Sequence, residues 1–293
     1  MRIPITLASL LILLAVAAAA PAGGFALTGT IADPELDEVS GIAASHRLPG
    51  VFWVHNDSNN PAAIFAIDQT GAVLARVAIS GARNVDWEDI ASYELDGRAY
   101  LALADIGNNF SLNEPVHIYV LPEPALTDTE VKPVRDYRFE YADGSRDAES
   151  LAVDLQQKRF LILDKGRQPA GLYALPMDGV VALAQRIADV PYTWPEPEAL
   201  VSPLAKRVRG AATAADLSAD GRRLLMLSYR HIMVFERGAG EDWPQALARK
   251  PRWSRLPDES GLGWEAACWS RDGRTAYVTG ERQRAAIYQW EPR

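Results

Sequence analysis

The chain has 293 residues, a formal net charge of −8 at pH 7 and a single cysteine. The acidic balance argues against a nucleic acid partner, because phosphate contacts need clustered lysine and arginine. Cys268 cannot form an intramolecular disulfide, so we expect a large hydrophobic core to stabilise the fold and read this cysteine as packed and inert.

The first 22 residues have the features of a secretory signal peptide. Arg2 gives a positive start, residues 7–20 form an apolar run, and Ala-Pro-Ala at residues 20–22 forms a small-residue cleavage region. The run is short for a membrane-spanning helix, although an uncleaved anchor is the alternative. We therefore expect cleavage after Ala22 and a periplasmic or secreted monomer without a membrane span, with one domain over residues 23–293.

The rest of the chain repeats one plan five times, most clearly in VDWEDIASYELDGRAYLALADIGNN at residues 85–109. There an acidic entry leads into a strand, a tight turn at Asp96-Gly97, and a second strand that ends on Asp105. A third strand in each repeat carries an aliphatic–aromatic pair, and the aromatic residues are 54, 54, 62 and 53 residues apart. They are Phe65, Tyr119, Tyr173, Phe235 and Tyr288.

This repeat predicts an all-β protein, a five-bladed β-propeller. The segment Phe25–Ile31 reads as a strand before the first repeat, whereas the fifth repeat stops after its third strand. We therefore expect the N-terminal strand to close the last blade, which leaves few exposed sheet edges. Residues 109–115 and residues 191–209, which include Trp194 and a basic run, interrupt the repeat. Each is either a solvated insertion or a loop that contacts a ligand.

One polar position recurs on the first strand of every repeat. Counting back seven residues from Asp220 and Asp272 gives Thr213 and Glu265, and the other members lie two residues before the first core aliphatic residue. In a propeller the first strands line the central channel, so five oxygen-bearing side chains would meet on its axis. The ring consists of Ser40, Glu88, Glu149, Thr213 and Glu265.

The chemistry of this ring favours a hard divalent cation. Three glutamates in a narrow channel repel one another, and a cation removes that repulsion. Ca²⁺ takes six to eight oxygen ligands in flexible geometry, whereas Zn²⁺ prefers histidine and cysteine. We therefore predict a Ca²⁺ ion held by the ring, with a hydrated polar channel as the alternative.

Charged residues at the ends of the second strands predict a ligand-binding mouth. Three acidic residues each lie two positions before a ring residue, so their side chains are expected on the same face of the first strand as the ring. They are Glu38, Asp86 and Asp147. Carboxylates can orient a metal ion or water while cations hold an anionic group, so this rim suits metal-assisted hydrolysis. Ordinary turn chemistry is the alternative, because Asp and Asn favour strand ends. The candidate catalytic residues are Asp57, Asp105, Asp164, Lys165 and Arg230.

The order Ser, Glu, Glu, Thr, Glu, one per repeat, resembles the ring of the calcium-activated nucleotidases, the apyrases of animals. In that family the ring holds calcium in the tunnel of a five-bladed propeller. The resemblance covers residues 39–290 in plan, with local matches at Trp87-Glu88 and residues 265–269. The acidic and basic substrate motifs of that family are absent at residues 57–60 and 106–109, so the resemblance does not extend to nucleotide hydrolysis. The chain looks more similar to uncharacterised secreted bacterial propellers with HNDS, DWEDIA, DIGNN and DAESL motifs, which imply no activity.

Three functions of different classes follow from these features. The first is a calcium-dependent hydrolase of a phosphorylated or esterified small molecule. The second is a glycan-processing protein, because paired carboxylates can cleave glycosidic bonds. The third is a non-catalytic, calcium-stabilised binding or scaffold protein. Trp194 favours a glycan ligand at the mouth and Lys165 a phosphorylated one, and no GxSxG, P-loop or HExxH motif is present.

Overall fold

The structure is a computed structural model, and it describes residues 24–108, 115–165, 169–180, 182–190, 211–257 and 263–292. The predicted signal peptide, residues 109–114 of the first interrupting stretch, and all of residues 191–209 with Trp194 lie outside this described part. No helix within it has the length and hydropathy needed to cross a bilayer.

β-Strands make up 56 % of the described residues, and helix makes up 2 %. In the N-terminal half the strands are β1 (Phe25–Ile31), β2 (Val39–Ala44), β3 (Val51–Asn56), β4 (Ala63–Asp68), β5 (Val73–Ile79), β6 (Trp87–Leu95), β7 (Arg98–Asp105), β8 (Val116–Pro122), β9 (Glu130–Val131) and β10 (Arg135–Tyr141). In the C-terminal half they are β11 (Ala148–Asp154), β12 (Arg159–Asp164), β13 (Ala170–Pro176), β14 (Leu183–Val190), β15 (Ala212–Leu217), β16 (Arg223–Ser228), β17 (His231–Glu236), β18 (Arg252–Arg255), β19 (Trp264–Trp269), β20 (Ala276–Gly280) and β21 (Ala285–Trp290). One short helix, α1 (Trp243–Leu247), precedes β18 and is capped by the side chain of Asp242.

Each sequence repeat folds as an antiparallel meander of consecutive strands. The hairpin of β6 and β7 shows why the register is well defined. Leu95 pairs with Arg98 across a two-residue turn, and its central residues Asp96 and Gly97 both have positive φ, at 51° and 72°. This is the backbone of a type I′ turn, whose twist matches that of the strands it joins.

The prediction of a five-bladed propeller is wrong, because the strands form four hydrogen-bonded sheets rather than five separate blades. Strand β10 of the second repeat pairs in parallel with β14 of the third, which joins the two repeats into one nearly closed eight-stranded sheet. Strand β9 likewise pairs in parallel with β5 and adds a fifth strand to the first repeat. The physical reason is that an outer strand presents unpaired N–H and C=O groups, which a neighbouring outer strand can satisfy.

The N-terminal strand supplies the fourth strand of the sheet that contains the fifth repeat. Strand β1 pairs antiparallel with β21, from Phe25 opposite Trp290 to Ile31 opposite Ala285. The rings of Phe25 and Trp290 are buried and stack with their centroids 6.0 Å apart. The pairing therefore ties the beginning of the described chain to its end.

Apolar side chains fill the layers between neighbouring repeats. Trp53 and Ile64 of the first repeat pack with Trp87 and Leu101 of the second in one cluster, and all four are 0 % exposed. Burying a large apolar side chain contributes about 1.5–3 kcal/mol, so such layers supply much of the stability.

The first strands of the five repeats, β2, β6, β11, β15 and β19, lie side by side around a common centre. The Asp89 carboxylate at this centre is fully buried and accepts three backbone N–H groups. The donors are Ile90 at 2.8 Å, Leu151 at 2.8 Å and Ala215 at 3.2 Å. One side chain of β6 thus ties together strands of three repeats, and burial raises its pKa well above the usual range.

A second carboxylate continues these links around the centre. Asp216 accepts the N–H groups of Leu217 and Trp269, both at 2.8 Å, and so joins β15 to β19. Burial raises the pKa of Asp216 to about 7. Together, Asp89 and Asp216 connect the first strands of repeats two to five.

We expect Asp89→Ala to destabilise the protein by roughly 2–6 kcal/mol, because the buried N–H groups of Leu151 and Ala215 each lose an acceptor at about 1–3 kcal/mol. Asp89→Asn should cost less, since its amide oxygen can still accept. Urea unfolding of both variants measures the difference. Asp136→Ala, which removes an exposed partner of His117, is the control and should be nearly neutral. A midpoint for Asp89→Ala equal to that of the control would contradict the role of Asp89.

Candidate metal centre

The five predicted ring residues occupy one structural position, a β-bulge near the start of each first strand. In β6, for example, Trp87 pairs with Asp105 and Asp89 with Ala104, so the residue between them has no opposite partner. A bulge of this kind re-aims the side chain of the extra residue and often lies beside a functional site. The five bulged residues are Ser40, Glu88, Glu149, Thr213 and Glu265.

Two of these residues, Glu88 and Glu149, come together with three aspartates. Carboxylate oxygens of Glu88, Asp147 and Glu149 lie within 4.8 Å of one another, as do those of Asp57, Asp86 and Glu88. Glu88 belongs to both groups, so the five carboxylates form one connected set, the acidic cluster. The glutamates are buried and the aspartates half-buried.

The Glu88 carboxylate lies at the middle of the acidic cluster and is 5 % exposed. Within the described ranges, no hydrogen bond or ion pair reaches this carboxylate. Burial, followed by the charges of Asp57 and Asp86, raises its pKa well above the usual range. A buried carboxylate without a partner is costly, so it must bind either a proton or a cation.

Gly107 makes room for this arrangement. It follows β7, and a Cβ atom at this position would lie 2.1 Å from Glu88 Oε1 and 2.5 Å from Asp86 Oδ2. No side chain fits there without displacing the carboxylates. The glycine therefore lets the backbone pass directly against the acidic cluster.

Asn84 positions Asp57 beside the start of β6. Its side-chain amide donates to the backbone carbonyl of Asp57 at 2.6 Å, and its oxygen accepts the N–H of Trp87 at 3.2 Å. These bonds hold the turn after β3 against the entry of β6. Burial, and then the charges of Glu281 and Asp86, raise the pKa of Asp57 to about 6.

Lys165 brings one positive charge to the site. Its ammonium donates to Glu149 Oε1, and its side chain is 25 % exposed. Burial raises the pKa values of Glu88 and Glu265, and the charge of Lys165 partly offsets both increases. Among the residues that the structure describes, the five carboxylates of the acidic cluster thus outnumber the ammonium group that contacts them.

Glu265 lies beside a carboxyl group that the sequence analysis did not select, Glu281. Burial, the charge of Glu281 and a hydrogen bond between the two carboxyl groups raise the pKa of Glu265 to about 8. Burial and the same two glutamates also raise the pKa of Tyr229. Repeats four and five therefore add a proton-sharing pair and a phenol to the surroundings of the acidic cluster.

The hydroxyl groups of the ring make contacts between repeats. Ser40 Oγ donates to the backbone carbonyl of Glu88, and Thr213 Oγ1 donates to that of Trp264, both at 2.8 Å. Each bond fixes one bulge against the next first strand. The oxygen lone pairs are not consumed by donation, so Ser40 can still serve as a neutral ligand near Glu88.

The five predicted catalytic residues occupy different kinds of position in the structure. Asp57 belongs to the acidic cluster and Lys165 contacts it. Asp105 accepts the N–H of Asp86, and Asp164 accepts the N–H of Gly171, both at 2.8 Å, so each of these two carboxylates binds the backbone of a neighbouring segment of its own repeat. The backbone carbonyl of Arg230 accepts the N–H of Leu256 at 2.9 Å, and its side chain is half-buried.

Strand register explains this difference. Asp105 and Asp164 each pair with a residue of the first strand, Trp87 and Ala148, and so lie inside the ladder. The position one residue beyond the last pair is occupied by Asp57, Lys165, Tyr229 and Glu281. Sequence reasoning placed Asp57 and Asp105 in the same class and so missed Tyr229 and Glu281. An alignment of the second strands in which Asn56, Asp105, Asp164, Ser228 and Gly280 coincide would have found them, because each ends the pairing with its first strand.

Comparisons with known proteins do not assign this site. A scan against protein-family models gives no match, and a search of curated proteins gives none of significance. The four-sheet architecture does not identify an apyrase-like protein either.

The pKa shifts predict that the metal-free protein loses stability as the pH rises. Asp57 and Glu265 have folded pKa values of about 6 and about 8, whereas unfolded carboxyl groups titrate near pH 4. The folded state binds these protons more tightly, so the stability present below about pH 4 is lost as the pH rises through these values. We expect the Tm in EDTA to fall between about pH 5 and pH 8.5.

Glu281→Gln should flatten this fall above about pH 7, because it removes the charge that raises the pKa of Glu265. Glu94→Gln, an exposed change at the far end of β6, should leave the slope as in the wild type. A Tm that rises with pH in EDTA would contradict the assignment of these shifts.

Proposed function

We propose that the protein binds a Ca²⁺ ion in the acidic cluster and that this ion stabilises the folded chain. The supporting observation is the Glu88 carboxylate, which is buried between two groups of carboxylates and has no hydrogen bond or ion pair of its own among the described residues. Carboxylates confined in this way cost stability unless a cation neutralises them.

The ligand types favour calcium over other metals. All five members of the acidic cluster offer carboxylate oxygen, and the nearby Ser40 adds a hydroxyl. Ca²⁺ accepts six to eight such ligands in flexible geometry, whereas Mg²⁺ needs a near-ideal octahedron and retains several waters. Zn²⁺ prefers nitrogen and sulfur ligands, and the groups found in the described residues contain neither histidine nor cysteine.

The position of the site gives the ion a structural role. Asp57 follows β3 of the first repeat, Asp86 and Glu88 begin β6 of the second, and Asp147 and Glu149 begin β11 of the third. An ion held by these side chains links three repeats at one end of their strands. Export would suit such a site, since extracellular calcium modules bind with Kd values on the order of 0.1–1 mM.

Calorimetry of the mature chain should show calcium binding, and the Tm should fall in EDTA and recover with calcium. At a hundredfold excess over Kd, binding to the native state alone adds about 3 kcal/mol to the free energy of unfolding. Glu88→Gln should weaken binding at least tenfold, because it removes the ligand that both carboxylate groups share. Glu94→Gln, on the same strand but exposed, should bind as the wild type does. Absence of both binding heat and an EDTA effect in the wild type would reject the proposal.

Gly107→Ala tests the geometry without changing any charge. The added methyl group would lie 2.1 Å from Glu88 Oε1, so the carboxylate must move, and calcium affinity should fall. Gly238→Ala is the matched control, because its Cβ would meet nothing closer than 3.4 Å. Unchanged affinity in Gly107→Ala would place the cation away from Glu88.

A calcium-dependent hydrolase of a phosphorylated or esterified small molecule is the second candidate. Asp57 and Lys165 favour it, because they lie at the edge of the acidic cluster on strand ends from different repeats. The half-buried carboxylate of Asp57 at this edge can accept a proton from an attacking water molecule as a general base. An ammonium group beside a metal ion can hold the anionic part of a substrate.

A panel of phosphomonoesters, carboxylic esters and aryl glycosides, assayed with calcium and with EDTA, separates the candidate functions. A hydrolase should show turnover that EDTA abolishes, and Asp57→Asn should lower kcat by roughly 100-fold, the size expected for a lost general base. Turnover of the glycosides alone would favour the glycan-processing alternative. Calcium binding without turnover of any substrate would favour a non-catalytic, calcium-stabilised binding protein.

A further inference from the structure

We infer that the Lys165 ammonium takes the place of a metal ion in the half of the acidic cluster formed by Glu88, Asp147 and Glu149. Only the other half is then available to a metal ion. The inference deepens the proposed function and rests on it for the half formed by Asp57, Asp86 and Glu88. The wild-type chain should therefore bind one calcium ion.

The spacing of the carboxylates defines two cation positions. Oxygen ligands lie 2.3–2.6 Å from a Ca²⁺ ion, so two ligands of one ion can be at most about 5 Å apart. The oxygens of each group of three lie within 4.8 Å of one another, so each group can surround one ion. Glu88 belongs to both groups and would bridge the two positions.

The backbone of the third repeat places Lys165 at the second position. Its N–H donates to the backbone carbonyl of Asp147 at 2.9 Å, which fixes the residue directly opposite the start of β11. From there the ammonium reaches Glu149 Oε1, and the side chain is three-quarters buried. The charge of the ammonium also acts on Glu88, where it opposes the rise in pKa, and so offsets part of the negative charge of this half of the cluster.

The first position differs, because no Lys or Arg side chain of the described ranges forms an ion pair with Asp57 or Glu88, whereas Lys165 pairs with Glu149 at the second. The Glu88 carboxylate is 5 % exposed, and no hydrogen bond or ion pair reaches it from the described ranges. Asp57 occupies in the first repeat the strand-end position that Lys165 occupies in the third. The same structural position thus supplies a ligand at one site and a cation at the other.

Removing the ammonium should therefore open the second position to a metal ion. Lys165→Met keeps most of the length and apolar contacts of the side chain but carries no charge. Two ions bridged by one carboxylate have precedent in two-metal sites, whose ions lie about 3.5–4 Å apart. Lys165→Met should accordingly bind two calcium ions where the wild type binds one.

The experiment is titration calorimetry with Ca²⁺ on the metal-free mature chain at about pH 7.5, with metal analysis after dialysis. We expect one equivalent for the wild type, two for Lys165→Met, and one for Lys132→Met, an exposed control. The double variant Glu149→Gln/Lys165→Met should return to one equivalent, because the second position loses a ligand. Circular dichroism in calcium verifies that each variant is folded, and if Lys165→Met is not, Lys165→Gln, which also lacks the charge, takes its place and should likewise bind two equivalents.

The outcomes separate this inference from the proposed function. One equivalent in both the wild type and Lys165→Met would overturn the inference and leave the calcium site standing. No binding by the wild type and one equivalent in Lys165→Met would support the role of Lys165 and reject the proposed function. No binding by either protein would reject both.

Discussion

The structure depends on one buried carboxylate, that of Asp89. It accepts N–H groups from β6, β11 and β15, so strands from three repeats share a single acceptor at their common centre. Loss of β11 or β15 would remove one of the two N–H groups that Asp89 Oδ2 accepts, and so weaken the compensation for burying this carboxylate. The three first strands that meet at Asp89 therefore stabilise one another.

The same residue connects the centre of the fold to the acidic cluster. Asp89 directly follows the bulged Glu88, and the bulge directs these two neighbouring carboxylates into different surroundings. Asp89 satisfies backbone groups inside, whereas Glu88 meets other carboxylates near the strand ends. Ser40 fixes the bulge from the neighbouring strand through the carbonyl of Glu88. Because these contacts hold the strand starts in place, the carboxylates cannot relax their repulsion by moving apart, and a bound cation would find its ligands already arranged.

The sequence was informative where the signal was local and repeated. The regular aromatic spacing revealed five similar units, and the position of Phe25–Ile31 indicated a strand that the last unit lacked. The count from the turns located two of the bulged residues, and the first core aliphatic residue of the other repeats located the remaining three. The number of sheets could not be obtained in this way. Parallel pairing of β10 with β14 depends on where two repeats lie relative to each other, and neither strand carries a pattern that specifies it. Tyr229 and Glu281 were missed for a different reason, because Asp57 and Asp105 were treated as equivalent although Asp105 lies in the last pair of its hairpin and Asp57 lies one residue beyond it.

The links between repeats indicate what an ion would add to the fold. Asp89 connects repeats two, three and four, and Asp216 connects four and five. Buried Glu123 joins the second repeat to the first by accepting from the backbone N–H of His46 and the indole of Trp53, at 3.0 and 3.1 Å. These bonds already connect all five repeats without a metal. An ion in the acidic cluster would therefore not be needed to assemble the strands. Its effect would be to remove the charge repulsion at the ends of three of them, so loss of the ion should weaken that face first while the centre stays intact.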